Sequence, residues 1–257
     1  MNRLTVIRRT GNYLKSRYFI GLMAMFVFCS SSFAQKDAVE ISSAKFKPDK
    51  SGDCSDCLCL CIQGSLDFAK LHETYPGAPP GYGPSVYKNK IGFNVGVFAT
   101  KPIITVGPGD VAAKIGLEFI EKGAKYSESP VTETIGLNYI ELPIDALYEY
   151  QIQDVGKVFL GFGPYFAYGI GGKDKYNDGT SSTSSNSFGG DGAKRFDFGL
   201  QFIGGFRLSC LASISLSYDL GLINIATNNN AGGYNYHDKN GVFSINLSYC
   251  LGKLMNQ

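Results

Sequence analysis

From Val242 to Leu251 the chain alternates apolar and small polar residues almost without fault. Successive side chains of a strand point to opposite faces. Phe243, Ile245, Leu247, Tyr249 and Leu251 therefore share one surface, and Ser244, Asn246, Ser248 and Cys250 the other. One such strand fits any sheet. Its recurrence is what carries information.

Seven further segments repeat the pattern. Residues 57–71 set Leu58, Leu60, Ile62, Leu66 and Phe68 against Cys59, Cys61, Gln63, Ser65 and Asp67. Residues 90–100 oppose Ile91, Phe93, Val95 and Val97 to Gly92, Asn94 and Gly96, and residues 111–122 oppose Ile115, Leu117 and Phe119 to Lys114, Gly116 and Glu118. In 134–151, Ile140, Leu142, Ile144 and Tyr148 face away from Tyr139, Glu141, Asp145 and Glu149. Segments 157–171, 195–209 and 212–225 alternate in the same way, with Asp197, Arg207 and Asp219 on their polar faces. The reading is an all-β chain of eight antiparallel strands.

The connections alternate in length as well. Long polar stretches occupy 72–89, 172–194 and 226–240, whereas short links lie at 152–156 and 209–211. The 101–110 link is longer than a tight turn, and the connection between the third and fourth strands is short; both depart from the alternation. Short turns at one end, long loops at the other and an even strand count describe a transmembrane β-barrel with both termini periplasmic. Eight strands leave an interior that side chains can fill. A soluble barrel with a greasy interior is the competing fold; the large Tyr and Phe residues near strand ends and the loop asymmetry argue against it.

The N-terminus supports export. Arg3, Arg8, Arg9, Lys15 and Arg17 precede an apolar run from Tyr18 to Phe28, and Ser32-Phe33-Ala34 offers small residues for cleavage before Gln35. The apolar run is shorter than the ~20 residues a spanning helix needs. This divides the chain into a signal peptide (1–34), a polar periplasmic lead-in (35–56), the barrel (57–252) and a short tail (253–257). Net charge is only +2, which gives no reason to expect nucleic acid as a partner. The expected surroundings are outer-membrane lipid and, during insertion, the barrel assembly machinery.

Several phrases resemble a known family. Tyr139-Ile140-Glu141-Leu142-Pro143-Ile144, Gly161-Phe162-Gly163-Pro164-Tyr165, Phe196-Asp197-Phe198-Gly199-Leu200 and Tyr218-Asp219-Leu220-Gly221-Leu222, together with Glu121-Lys122-Gly123-Ala124, resemble the PorT-type outer-membrane β-barrels. The resemblance spans about residues 57–252. It implies an eight-stranded outer-membrane barrel and says much less about activity; the reading for this chain is a non-catalytic structural or assembly role. The name-giving member serves type IX protein secretion, so other secretion-system proteins become expected partners. The cysteine-rich first strand and the Cys250-Leu251 ending depart from that family's pattern. The alternative function is a surface binding or adhesion protein acting through its outer loops.

Two constellations invite chemistry. With Cys29 in the leader, Cys54, Cys57, Cys59, Cys61, Cys210 and Cys250 remain, and an oxidising compartment favours disulfides over metal. The first and last strands must pair to close the barrel, which brings Cys250 beside Cys59 or Cys61. The second constellation is the interior: Glu118, Glu141, Asp145, Glu149, Asp197 and Asp219 with Lys114 and Arg207 form an expected polar lumen network. His72 and His237 fall in predicted outer loops, and no Ser–His–Asp phrase, phosphate loop or HExxH motif is present. No cofactor, metal or catalytic residue is expected.

Overall fold

The structure, a computed structural model, describes residues 58–75, 87–153, 155–190, 192–208, 212–227, 230–231 and 234–254. The predicted leader and lead-in, and with them Cys54 and Cys57, lie outside the described residues, as does Cys210.

The strands are β1 (Leu58–Thr74), β2 (Lys90–Val106), β3 (Gly109–Glu128), β4 (Val131–Ile152), β5 (Gly156–Gly171), β6 (Lys173–Asn177), β7 (Ser182–Asn186), β8 (Phe196–Leu208), β9 (Ala212–Gly221), β10 (Asn230–Ala231), β11 (Tyr234–Asn235) and β12 (His237–Leu254). Eight of them form a closed ring, β3-β2-β1-β12-β9-β8-β5-β4, with β4 pairing back onto β3. Every neighbour is antiparallel. Closure is required because an unpaired edge has no hydrogen-bond partner in hydrocarbon.

Burial decides which way round the barrel is. Glu141, Lys122 and Asp197 are 0% exposed, while Leu160 is 72% and Ile91 67% exposed. A soluble barrel would hide the leucines and hydrate the carboxylates. Here Ile91, Phe93, Val95 and Val97 of β2, Ile115 and Leu117 of β3, and Ile214 and Leu216 of β9 face outward. Such a surface belongs in lipid. Tyr148 and Tyr150 mark one edge of the belt and Tyr168 and Tyr218 the other.

One rim carries short turns, between β2 and β3, β4 and β5, and β8 and β9; the other carries the longer connections from β1 to β2, β5 to β8 and β9 to β12, together with a two-residue turn between β3 and β4. Four expectations change here. The 101–110 link is not a loop: β2 and β3 continue to Val106 and Gly109 and meet in a two-residue turn at Gly107-Pro108, where Gly107 takes φ +61°. Pro102, which cannot donate to a ladder, disguised the strand and sits at a register shift. Second, His72 lies within β1 and His237 begins β12, because these two strands stay paired from Leu58↔Leu254 to Thr74↔His237. Third, the 172–194 stretch contains β6 and β7, a hairpin that hydrogen-bonds to the outer part of β4 through Thr132–Ile135. Fourth, the last strand continues to Leu254, past the predicted boundary at 252.

β3 and β4 are 20 and 22 residues long, twice the roughly 9–11 residues a tilted spanning strand needs. Their surplus, with β6 and β7, makes a four-stranded sheet beyond the loop rim.

Candidate functional site

The lumen is layered. Next to the turn rim, Ala112, Leu147, Phe159 and Ile203 form a small apolar cluster. A cavity of about 20 Å³ adjoins it, lined by Cys61, Lys114, Arg207, Ser213, Ser215 and Ser248 among others. Arg207 is tied down at 2.9 Å to Glu149, and Lys157 bridges Glu149 (3.6 Å) and Asp110 (3.4 Å).

The middle layer is charged. Lys122 Nζ lies 2.7 Å from Glu141 and 3.3 Å from Asp197, all fully buried. Asp197 also accepts from Asn240 Nδ2 at 2.9 Å and from the Tyr165 hydroxyl at 3.3 Å. The Lys122 ammonium sits 3.9 Å above the Tyr165 ring, a cation–π contact between two fully buried side chains. Gln201 donates to Asp219 at 2.9 Å, Asn246 to Ser217 at 3.0 Å, and Gln63 to Asn246 at 3.2 Å. Lys114 stands over the Phe98 ring at 4.2 Å, in register opposite Asp145 on β4. Glu118 is likewise opposite Glu141.

A second apolar layer lies towards the loop rim: Leu71, Ile120, Leu137, Tyr139, Tyr165, Phe188, Ile225 and Val242 pack together inside the barrel. Phe188, from the segment after β7, meets Tyr139 edge-on at 5.4 Å. It fits because residue 169 is glycine; a Cβ there would come 2.4 Å from the Phe188 ring. Beside Lys122, Gly123 adopts φ +122° and a Cβ would meet the Ile135 carbonyl at 2.0 Å, so the close β3–β4 contact at this level requires glycine.

The seam carries a covalent bond. Cys61 and Cys250 form a disulfide between β1 and β12. Register explains why it is Cys61: Leu60 pairs with Gly252 but Cys61 pairs with Cys250, so Leu251 bulges out and brings the two cysteines opposite each other. Cys59 pairs instead with Lys253 and, on the other side, Thr100.

A model of the outer membrane protein beta-barrel domain matches residues 62–227. The chain belongs to that outer-membrane β-barrel family. No curated protein sequence matches it. Among solved structures, it is similar to the attachment invasion locus protein Ail of Yersinia pestis, at 16% identity over 77% of this chain and 100% of that one, with a TM-score of 0.37. OprG of Pseudomonas aeruginosa gives 9% identity, 79% and 99% coverage and a TM-score of 0.38. Neisserial surface protein A gives 12%, 77%, 97% and 0.34. The matched model describes outer-membrane barrels in general and does not single out the PorT-type group.

In this outer-membrane barrel, each residue of the expected lumen network sits on the inner side. Glu118, Glu141, Asp145, Glu149, Asp197 and Asp219 are buried, and Arg207 is partly exposed near the turn rim. They do not form one cluster: Glu149 and Arg207 belong to the rim, Glu141 and Asp197 to the Lys122 centre. Lys122 and Asn240 are additions to the expected network, as are Asp67 and Gln201, which the alternation already sets on the polar faces of their strands. Their signal was available, since Lys122 continues the even-numbered inward series of Lys114 and Glu118, and Asp67 that of Gln63 and Ser65. His72 points away from these carboxylates, with Nε2 3.5 Å from the Tyr218 hydroxyl.

Proposed function

We propose that this chain is a non-catalytic surface-binding protein of the outer membrane. Its short turns and both chain ends face the periplasm, and its long-strand rim faces the medium. The observation that carries this reading is the contrast between a filled lumen and an enlarged loop rim. The interior is occupied by the Lys122–Glu141–Asp197 centre between two apolar layers, so side chains fill the middle of the barrel. The chain instead devotes the ends of β3 and β4, with β6 and β7, to a sheet outside the lipid. Binding loops on a rigid scaffold are the usual form of such a device. His72 is directed away from the buried carboxylates, towards the Tyr218 hydroxyl.

The test is excision of residues 173–186. Ser187 N donates to Gly172 O at 3.3 Å, so a short glycine link can close the gap without shifting Phe188. Cells bearing the full chain and the excised chain are compared for retention on surfaces coated with matrix protein, polysaccharide or other cells. Loss of retention with heat-modifiable gel migration preserved supports surface binding. Unchanged retention overturns it.

The second reading is a structural or assembly role in protein secretion, supported by the ordered phrases that resemble PorT-type barrels. Its partners would be secretion-system proteins meeting the turn rim. Periplasmic cross-links from that rim, unaffected by the excision, would favour it.

A further inference from the structure

The sheet beyond the loop rim sorts its charges by face. Paired residues of an antiparallel ladder share a face. Tyr126, Glu133 and Tyr176 are in one such row, and Asp174 lies next to it, opposite Ile135. Ile135 and Tyr87 pack on the apolar layer that caps the lumen, so this face looks inward over the mouth. The opposite face contains Lys88, Lys125, Thr134, Lys175 and Ser184 in one row across the strands. Lys88 and Lys125 exchange both backbone hydrogen bonds, at 2.6 and 3.1 Å, so their side chains stand directly opposite each other. Like charges in that relation are destabilising.

On the sheet itself, Lys88 Nζ donates to the Ser127 carbonyl at 3.2 Å, which holds the ammonium but leaves its charge unneutralised. Lys88, Lys125 and Lys175 are exposed, and none takes part in an ion pair among the described residues. The next row outward on that face supplies Ser127, Thr132, Asn177 and Ser182, which are hydrogen-bonding groups without charge; on the other side Lys173 stands opposite Asn186, and the Glu121 carboxylate beyond is taken by Lys90 at 3.5 Å. A row of like charges left unneutralised within the molecule marks a functional surface.

The direction of the face names the partner. It continues the lipid-facing surface: Phe119 and Ile140 are a paired outward couple at the end of the apolar belt, and Lys125 and Thr134 are the pair six residues further out. On tilted strands that is a height of roughly 15 Å above the belt. The lysines therefore point sideways into the polar layer of the membrane, not up into the medium. We propose that this face docks the phosphate groups of outer-leaflet lipid whose phosphates are carried on sugars, with Lys88, Lys125 and Lys175 as the contact row. Lysine suits phosphate as a mobile point charge, and its stem can reach down towards the belt. The hydroxyl and amide groups around it suit the sugars. The inference rests on the orientation proposed above.

The experiment uses the full-length barrel in phosphatidylcholine bilayers doped with diphosphoryl lipid A, or with the same lipid stripped of phosphate. The native chain should retain the phosphorylated form at least about tenfold better at moderate salt, and lose the preference as salt rises. Replacing Lys88, Lys125 and Lys175 together by alanine should bring the two lipids to near parity; replacement by arginine should keep the preference. An alanine variant that keeps the native preference for the phosphorylated lipid overturns the proposal. So does displacement of the lipid by a soluble sulfated polysaccharide at equal phosphate and sulfate concentration, which would make a soluble polyanion the partner. Orientation is read separately: failure of a membrane-impermeant amine reagent to label Lys175 on intact cells would sink the surface reading, whereas the lipid preference in bilayers would stand.

Discussion

Lys122 Nζ is held between Glu141 and Asp197, at 2.7 and 3.3 Å, and no atom of the three side chains reaches solvent. A buried cation between two carboxylates is stable only as a set, because each partner left alone keeps its desolvation penalty.

Lys122→Met should therefore lower barrel stability by about 3–5 kcal/mol. The check is the urea midpoint of the heat-modifiable species. Lys122→Arg, which keeps the charge, should lose less. A midpoint unchanged in the methionine variant would mean that water already reaches this layer.

Reduction of the Cys61–Cys250 bond should destabilise the barrel by about 2–5 kcal/mol, since the bond closes most of the chain into a loop. Cys61→Ser, Cys250→Ser and the double variant should then unfold at the same denaturant concentration as the reduced native chain. A double variant weaker than either single one would show that the thiols contribute separately.

The loop rim should respond to pH. Burial, and after it the Glu73 charge, pushes the Asp238 carboxyl up to about 6 from its ordinary value of 3.8. Burial and mutual proximity raise Glu133, and burial raises Asp174, in the same direction. A carboxyl raised in the folded state favours the protonated form. Its contribution is complete below pH 3.8 and is lost as pH rises through about 6. Hydrogen exchange at the outer ends of β1 and β12, corrected for intrinsic rates, should thus be slower at low pH than at neutrality. Asp238→Asn should flatten that dependence.

What could be read from the sequence follows from where periodicity has a cause. Lipid outside and a packed lumen inside impose a two-residue period, so the lipid-facing residues of β2, β5 and β9 were legible. Beyond the belt both faces are polar and the period vanishes. Ser182-Thr183-Ser184-Ser185-Asn186 contains no apolar residue and reads as part of a long polar connection, although it is strand β7. Pro102 hid the lower part of β2 for a different reason, as a strand residue that gives up its hydrogen bond at an irregularity. The pairing of the last strand's cysteine with the first strand was legible from closure. The choice between Cys59 and Cys61 was not, because it turns on one bulged residue, Leu251, whose slip leaves no mark in composition. Lys122 was legible by parity alone and was passed over.

The seam bond has a consequence for damage. Its two cysteines are 189 positions apart, so nearly every exposed connection falls between them. A protease that cuts one loop therefore produces two fragments that remain tied together, still threaded through their neighbours' ladders. The barrel behaves as a riveted hoop: it can be nicked at the cell surface without shedding a stave.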